Sequence, residues 1–214
     1  PKANVLDPAG NLWIAKFPSK ADSTDIGAWE MVTHQLARQV GLRRRNVDLK
    51  VLQKWLYFPD QALRPQRQPP YPFRFGNDVA GKTDGADYQD GTSYLDIAKF
   101  IMQYGAQPDA DLRELWKRIV FSIAVKNTDD HLRNHGFLLA PQGGYFSAYD
   151  INPNPNGTGL ALNISENDNA LDFDLARDVA SLFRIDTNTA DFLSGRPKKV
   201  FKTGVKSPIA VHSA

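Results

Sequence analysis

One stretch constrains this chain more than any other. Leu112, Leu115, Trp116, Ile119, Val120, Ile123 and Ala124 recur at the i, i+3, i+4, i+7 spacing of a helix with one deeply buried face. Any fold of this chain must bury that stripe. The apolar pattern then stops abruptly, and Lys126-Asn127-Thr128-Asp129-Asp130-His131-Leu132-Arg133-Asn134 follows without a break. A core helix that runs out into acids, amides and a histidine places polar side chains where the core ends, which is how a site is built on a rigid scaffold.

The flanking segments supply the rest of the framework. Residues 11–18 alternate Leu12, Ile14 and Lys16 with Trp13, Ala15 and Phe17, a strand pattern preceded by the turn-like Asp7-Pro8-Ala9-Gly10. A helix is predicted from Asp25, with Trp29, Val32, Leu36, Ala37 and Val40 apolar, Glu30 in its first turns and Gly41 at its end. Residues 43–79 mix a basic run, aromatics and Pro59, Pro65, Pro69, Pro70 and Pro72 with no sustained period, and read as a long loop. Thr92 or Ser93 caps a further helix to Tyr104, with Leu95, Ala98 and Met102 on one side. Residues 136–139 and 145–149 read as two strands around Pro141-Gln142-Gly143-Gly144. Rigid irregular chain follows at Asp150-Ile151-Asn152-Pro153-Asn154-Pro155, and residues 168–183 are the last predicted helix.

Composition narrows the class. At 214 residues, 42% hydrophobic and 23% charged, this is globular sequence, and a net charge of +2 gives no reason to invoke nucleic acid. The absence of cysteine excludes disulfides, thiolate metal sites and a cysteine nucleophile, and fits a reducing compartment. No apolar run approaches the roughly 18 residues of a membrane span, so a cytoplasmic location without membrane contact is expected. The chain opens at Pro1 rather than a methionine, so an upstream segment is expected.

Phosphoryl transfer needs a carboxylate to take the proton of the attacking hydroxyl, and oxygen ligands on separate segments to hold magnesium against the phosphates. Protein kinases carry the base and one ligand as Asp-x-x-x-x-Asn, and Asp129 to Asn134 has that spacing. Asp150, beyond the hairpin, then occupies the place of the second magnesium ligand. Upstream, Lys16 on a strand and Glu30 on the next helix stand in the order of the kinase phosphate-gripping lysine and its ion-pair partner. Taken singly, each residue has a plainer role: Lys16 as a solvated strand lysine, Glu30 as a first-turn carboxylate, Asp129 and Asn134 as helix-end solvation. His131 and His135 beside two aspartates also suggest a metal-hydrolase site, though no third ligand of known spacing accompanies them. Joint order and spacing favour the kinase pattern.

These residues resemble the HipA family, bacterial Ser/Thr kinases that act as toxins of toxin–antitoxin pairs. The resemblance rests on Pro1-Lys2-Ala3, Trp13 to Pro18, Glu30 with Leu36 to Leu42, Asp90 to Leu95, Asn127 to Gly136, and Ala148 to Pro153. It implies a two-lobed α/β (α+β) protein-kinase-like fold: a small mixed N-lobe over residues 1–90 and a larger, mostly helical C-lobe over 91–214. It further implies Asp129 as general base, Asn134 and Asp150 on magnesium, and Lys16, with Glu30 as its partner, on the phosphates of ATP. His131 and Lys2 would lie near the nucleotide. The implied partners are a HipB-like DNA-binding antitoxin and a protein substrate, with aminoacyl-tRNA synthetases among the family's targets.

Two segments depart from the family pattern. A Lys-Arg-Phe-Asp-Arg strand, where kinase order puts the adenine hinge, is missing from residues 43–79. Permissible codons for Tyr57 to Pro65, read one nucleotide later, spell Thr-Phe-Leu-Thr-Lys-Arg-Phe-Asp-Arg, and Pro70 to Asp78 and Lys202 to Ala210 likewise permit family-like peptides in a shifted frame. Residues of about 43–79 and about 195–214 are therefore read as out of frame, and the basic tail of Arg196, Lys198, Lys199, Lys202 and Lys206 needs no nucleic-acid role. Two alternatives to an active protein kinase follow: a catalytically dead remnant that still binds an antitoxin, or a small-molecule phosphotransferase. In the latter class a His-Gly pair typically precedes the base, where this chain has Asn127-Thr128.

Overall fold

The computed structural model describes residues 2–6, 12–16, 26–43, 50–52, 55–59, 73–148, 151–154 and 156–203. Asp150 and residues 204–214 lie outside them, as do residues 44–49, 53–54 and 60–72. The alternating stretch near the start forms β2 (Leu12–Lys16), paired antiparallel with β1 (Lys2–Leu6) so that Lys2 faces Lys16 in register. Helix α1 (Ile26–Gln39) follows and ends as expected at Gly41, whose φ of 75° is open to glycine without strain. Its last turn closes through the N–H of Leu42 donating to the carbonyl of Ala37. Leu36, Ala37 and Val40 are buried, but Trp29, grouped with them by sequence, is 54% exposed.

The aperiodic stretch 43–79 holds more structure than its sequence announces. It contributes β3 (Lys50–Leu52) and β4 (Trp55–Pro59), which complete a four-stranded antiparallel sheet in the order β1-β2-β4-β3. It also contributes β5 (Phe73–Phe75) and the short α2 (Gly76–Ala80). Strands of three to five residues are too short to display a period. β3 pairs only with its neighbour β4, while β4 and β5 are held by β2 and β6, partners far along the chain that no local pattern encodes.

Helix α3 (Tyr94–Tyr104) starts at a capping box, Ser93 accepting from Leu95 N–H while Asp96 accepts from Ser93 N–H. Its buried face is Tyr94, Ile97, Ala98 and Ile101, rotated from the one expected, and Met102 is 42% exposed. Helix α4 (Pro108–Val125) is the central core element, burying Leu112, Leu115, Trp116, Ile119 and Val120 against α3 and the C-terminal helices. A second, smaller cluster joins Leu36, Ala37, Val40 and Leu42 of the α1 region to Phe121 of α4 and to Ile151.

After α4 the chain makes a 3-10 turn (Leu132–Asn134) and a hairpin of β6 (His135–Ala140) and β7 (Gly143–Ala148), with β5 on the other edge of β6. The predicted helix over 168–183 is shorter than expected: α5 spans Phe173–Asp178, capped by Asp172, and a 3-10 turn spans Ala180–Phe183. Helix α6 (Thr187–Thr203), absent from the sequence reading, closes the described chain and packs against α4 and α5. Among the described residues no helix is long and apolar enough to cross a membrane.

Candidate active site

The polar run after α4 is wound tightly by its own backbone. Lys126 ends the helix in the left-handed region, φ 55°, a conformation unfavourable for a side-chain-bearing residue and common where a chain must turn sharply. Thr128 N–H then donates to Lys126 carbonyl and His131 N–H to Asp129 carbonyl, both at 2.9 Å. The Asn134 side chain donates from Nδ2 to the same Asp129 carbonyl at 2.9 Å. The two ends of the Asp-x-x-x-x-Asn loop are thereby fastened together. Asp129 is exposed, and no hydrogen bond from the described residues reaches its carboxylate.

Beneath it, Asp130 points the other way. Its carboxylate is fully buried and accepts from Arg118 Nη2 at 2.7 Å, Arg118 Nε at 3.2 Å, the Tyr94 hydroxyl at 3.0 Å and the Ser122 hydroxyl at 3.3 Å. His135 Nε2 stands 3.4 Å away. Burial pushes the Asp130 carboxyl up, but the Arg118 guanidinium and the His135 ring outweigh it and hold the group well below the usual carboxylate range. Burial pushes the His135 imidazole down in spite of Asp130, and burial together with Asp130 raises the Tyr94 phenol well above its ordinary value. The pair of histidines is thus split: His135 is enclosed with Asp130 and Phe146, while His131 borders a cavity beside Asp129.

The segment that carries Asp150 is tied to the same loop. Asp150 itself lies outside the described residues, but its neighbour Ile151 is 1% exposed in the α1–α4 cluster. Asn152 N–H donates to Asn127 Oδ1 at 3.1 Å, and Asn154 N–H to the carbonyl of Lys126 at 2.9 Å. Gly157 lies so close to Thr128 that a Cβ there would overlap its side chain. Sequence reading passed over Asn127, Arg118, Ser122, Tyr94 and the orientation of Asp130. The one signal was a row of polar residues at helical spacing, Asp111, Glu114, Arg118 and Ser122, beside the apolar stripe of α4.

Upstream, the register of β1 and β2 sets Lys2 beside Lys16, and their side chains lie outside the described residues. Glu30 is 3% exposed on α1, with His34 Nε2 3.9 Å from its carboxylate. The oxygens of this loop are of the hard kind that suits magnesium. With Nδ2 of Asn134 spent on the Asp129 carbonyl, its Oδ1 remains as an acceptor beside the exposed Asp129, two oxygen donors of the kind magnesium takes.

The fold has known counterparts. It superposes on HipA of Shewanella oneidensis, from the complex of that toxin–antitoxin system's HipA and HipB with operator DNA, with a TM-score of 0.74 at 17% identity over 93% of this chain and 54% of that one. It superposes on the Helicobacter pylori proinflammatory kinase CtkA with a TM-score of 0.58 at 13% identity, over 92% of this chain and 89% of that one. At such identities the likeness is one of fold, and it bears out the mixed α/β kinase-like architecture. In sequence, the chain is 38% identical over 89 residues to a Haemophilus influenzae protein named "Putative kinase", covering 36% of this chain and 25% of that protein. It therefore spans a quarter of that curated relative and about half of the HipA chain. A family model described as the HipA-like C-terminal domain matches residues 1–201, and the chain belongs to that family.

Proposed function

We propose that this chain is the core of a HipA-like serine/threonine protein kinase that transfers the γ-phosphoryl group of ATP to a protein hydroxyl. The observation that carries the reading is the double tether between two segments. Asn127 and Lys126 hold Asn152 and Asn154, so the chain that follows Asp150 is kept against the loop of Asp129 and Asn134. A base and two oxygen ligands from separate segments are what such a transfer requires.

In this reading Asp129 accepts the proton of the serine or threonine hydroxyl as its oxygen bonds to the γ-phosphorus and the bond to the β-phosphate oxygen breaks. Asn134 and Asp150 hold magnesium, which when bound neutralises phosphate charge. Lys16 grips the phosphates with Glu30 as its partner, and His131 and Lys2 border the nucleotide. The lobes divide at about residue 90. The antitoxin in the Shewanella complex supports a HipB-like DNA-binding partner for this chain, in a toxin–antitoxin pair of the bacterial cytoplasm. The protein substrate is assigned to the class of the aminoacyl-tRNA synthetases by family resemblance.

Titration with ATP in the presence and absence of magnesium tests the reading. Magnesium-dependent binding in the micromolar to millimolar range is expected, with transfer to protein abolished in Asp129→Asn while nucleotide affinity is largely kept. Turnover retained in that variant would refute the base. A non-catalytic remnant is the second reading, resting on the adenine-hinge strand missing from residues 43–79. It prevails if the chain binds no nucleotide while a version with those codons restored does.

A further inference from the structure

Helix α1 closes its own end: Leu42 N–H donates to the Ala37 carbonyl at 3.0 Å and Gly41 N–H to the Arg38 carbonyl at 3.1 Å. The polar backbone groups beyond, the carbonyl of Gly41 and the N–H of Arg43, are not needed for that ending. Both are nevertheless taken by side chains of α4. Lys117 Nζ donates to the Gly41 carbonyl at 2.7 Å, and Glu114 Oε1 accepts from Arg43 N–H. The other Glu114 oxygen lies 2.7 Å from Lys117 Nζ, so an ammonium and a carboxylate one turn apart on α4 close together on the chain that leaves α1. Arg43 Nη1 adds a looser contact, 3.5 Å from Asp111 Oδ1.

Glu114 and Asp111 are only 6% and 5% exposed. Acidic side chains are buried to that degree where they are paired, and the end of α1 supplies part of the pairing. The apolar cluster of Leu36, Ala37, Val40 and Leu42 with Phe121 of α4 and Ile151 fixes the same junction. One small region thus holds the end of α1, the helix that leads to Asp129 and the residue after Asp150. Glu30 stands roughly 14 Å up α1 from Gln39 at about 1.5 Å per residue, so a tilt of about 10° at the junction moves it by about 2 Å. A shift of that size breaks a hydrogen-bonded ion pair.

We propose that Glu114 and Lys117 are positioning residues, which clasp the end of α1 to α4 and so set the place of Glu30 against the nucleotide phosphates. The proposal rests on the reading of Glu30 as the partner of Lys16.

Two measurements test it. Amide hydrogen exchange needs no ligand and reads the clasp. In Lys117→Met, exchange over α1 should quicken about twofold to tenfold, the factor that one hydrogen bond supplies, with α3 unchanged and Lys117→Arg close to the parent. Calorimetry reads the positioning. Magnesium–ATP should bind Lys117→Met about threefold to tenfold more weakly than the parent, adenosine should bind both alike, and Lys117→Met should weaken ATP no further in a Glu30→Gln background. If Lys117→Met does not fold, Glu114→Gln is scored in its place. Unchanged exchange in α1, an equal loss of adenosine and ATP affinity, or a loss that adds to that of Glu30→Gln would overturn the proposal. Absent magnesium–ATP binding by the parent would instead strike the phosphoryl-transfer reading, and the clasp then stands or falls on exchange alone.

Discussion

Arg118 and Asp130 form a buried ion pair directly under the loop of Asp129, with 2.7 Å between Nη2 and Oδ1 and side chains 4% and 0% exposed. The adjacent residues Asp129 and Asp130 thus have opposite fates, one turned to solvent and one anchored in the core. Anchoring Asp130 through α4 is what gives the loop a fixed place from which to present Asp129.

Breaking that pair from one side should be severe. Arg118→Met leaves an uncompensated buried carboxylate, so a loss of about 3–5 kcal/mol is expected in urea denaturation. Adding Asp130→Leu to Arg118→Met should recover part of the loss, and a double-mutant cycle measures the coupling. A single variant as stable as the parent would contradict the burial described.

Stability should fall as pH drops, in two windows. His135, faced by Asp130, Arg118, His131 and Tyr94, has a folded pKa lowered from 6.5. The unfolded chain therefore takes up a proton first, and stability is full above about 6.5 and declines below it. Asp130, also lowered from 3.8, contributes stability that is full above 3.8 and lost as pH falls further toward its folded value. Denaturant midpoints between pH 8 and pH 5 check the first window: His135→Gln should flatten the slope there.

Asn127→Ala removes the acceptor of Asn152 N–H and the donor to Ser122. A stability loss of about 1–3 kcal/mol is expected for the buried groups left unpaired. Since Asn127 steadies the chain next to Asp150, magnesium–ATP affinity should also weaken, as it should more strongly in Asp150→Asn. Calorimetry on both variants gives the comparison, and unchanged affinity in Asp150→Asn would remove it from the metal site.

Gly157→Ala drives a methyl group into Thr128, the residue before Asp129. Overpacking of this kind typically costs about 1–3 kcal/mol. A thermal melt should show the loss, and turnover should drop more than nucleotide affinity, because the displaced residue adjoins the proposed base rather than the nucleotide side.

Determining the nucleotide sequence of the locus examines the out-of-frame reading of residues 43–79 and 195–214. The expected codons spell the family-like peptides when shifted. Codons that do not spell them would dismiss the idea.

Much of this molecule was legible in one dimension. The apolar stripe of α4 is periodic from Leu112 to Ala124 within a helix of eighteen residues, so the core helix, the polar loop at its end and the hairpin beyond could be located from local pattern, as could Ser93 and Gly41 as punctuation. The spacing of Asp129 and Asn134 is likewise a property of the chain alone. Other features depended on contacts between residues far apart in sequence. The short strands between residues 50 and 75 are held by pairing across the sheets, which leaves no local period. The exposed Trp29 and the turned face of α3 reflect what packs beside each helix, and a helical wheel cannot foresee that. Above all, two adjacent aspartates look alike in sequence. They were told apart by Arg118, Ser122, Tyr94 and His135 converging on one of them, because a buried carboxylate is tolerated only where donors from several elements meet it.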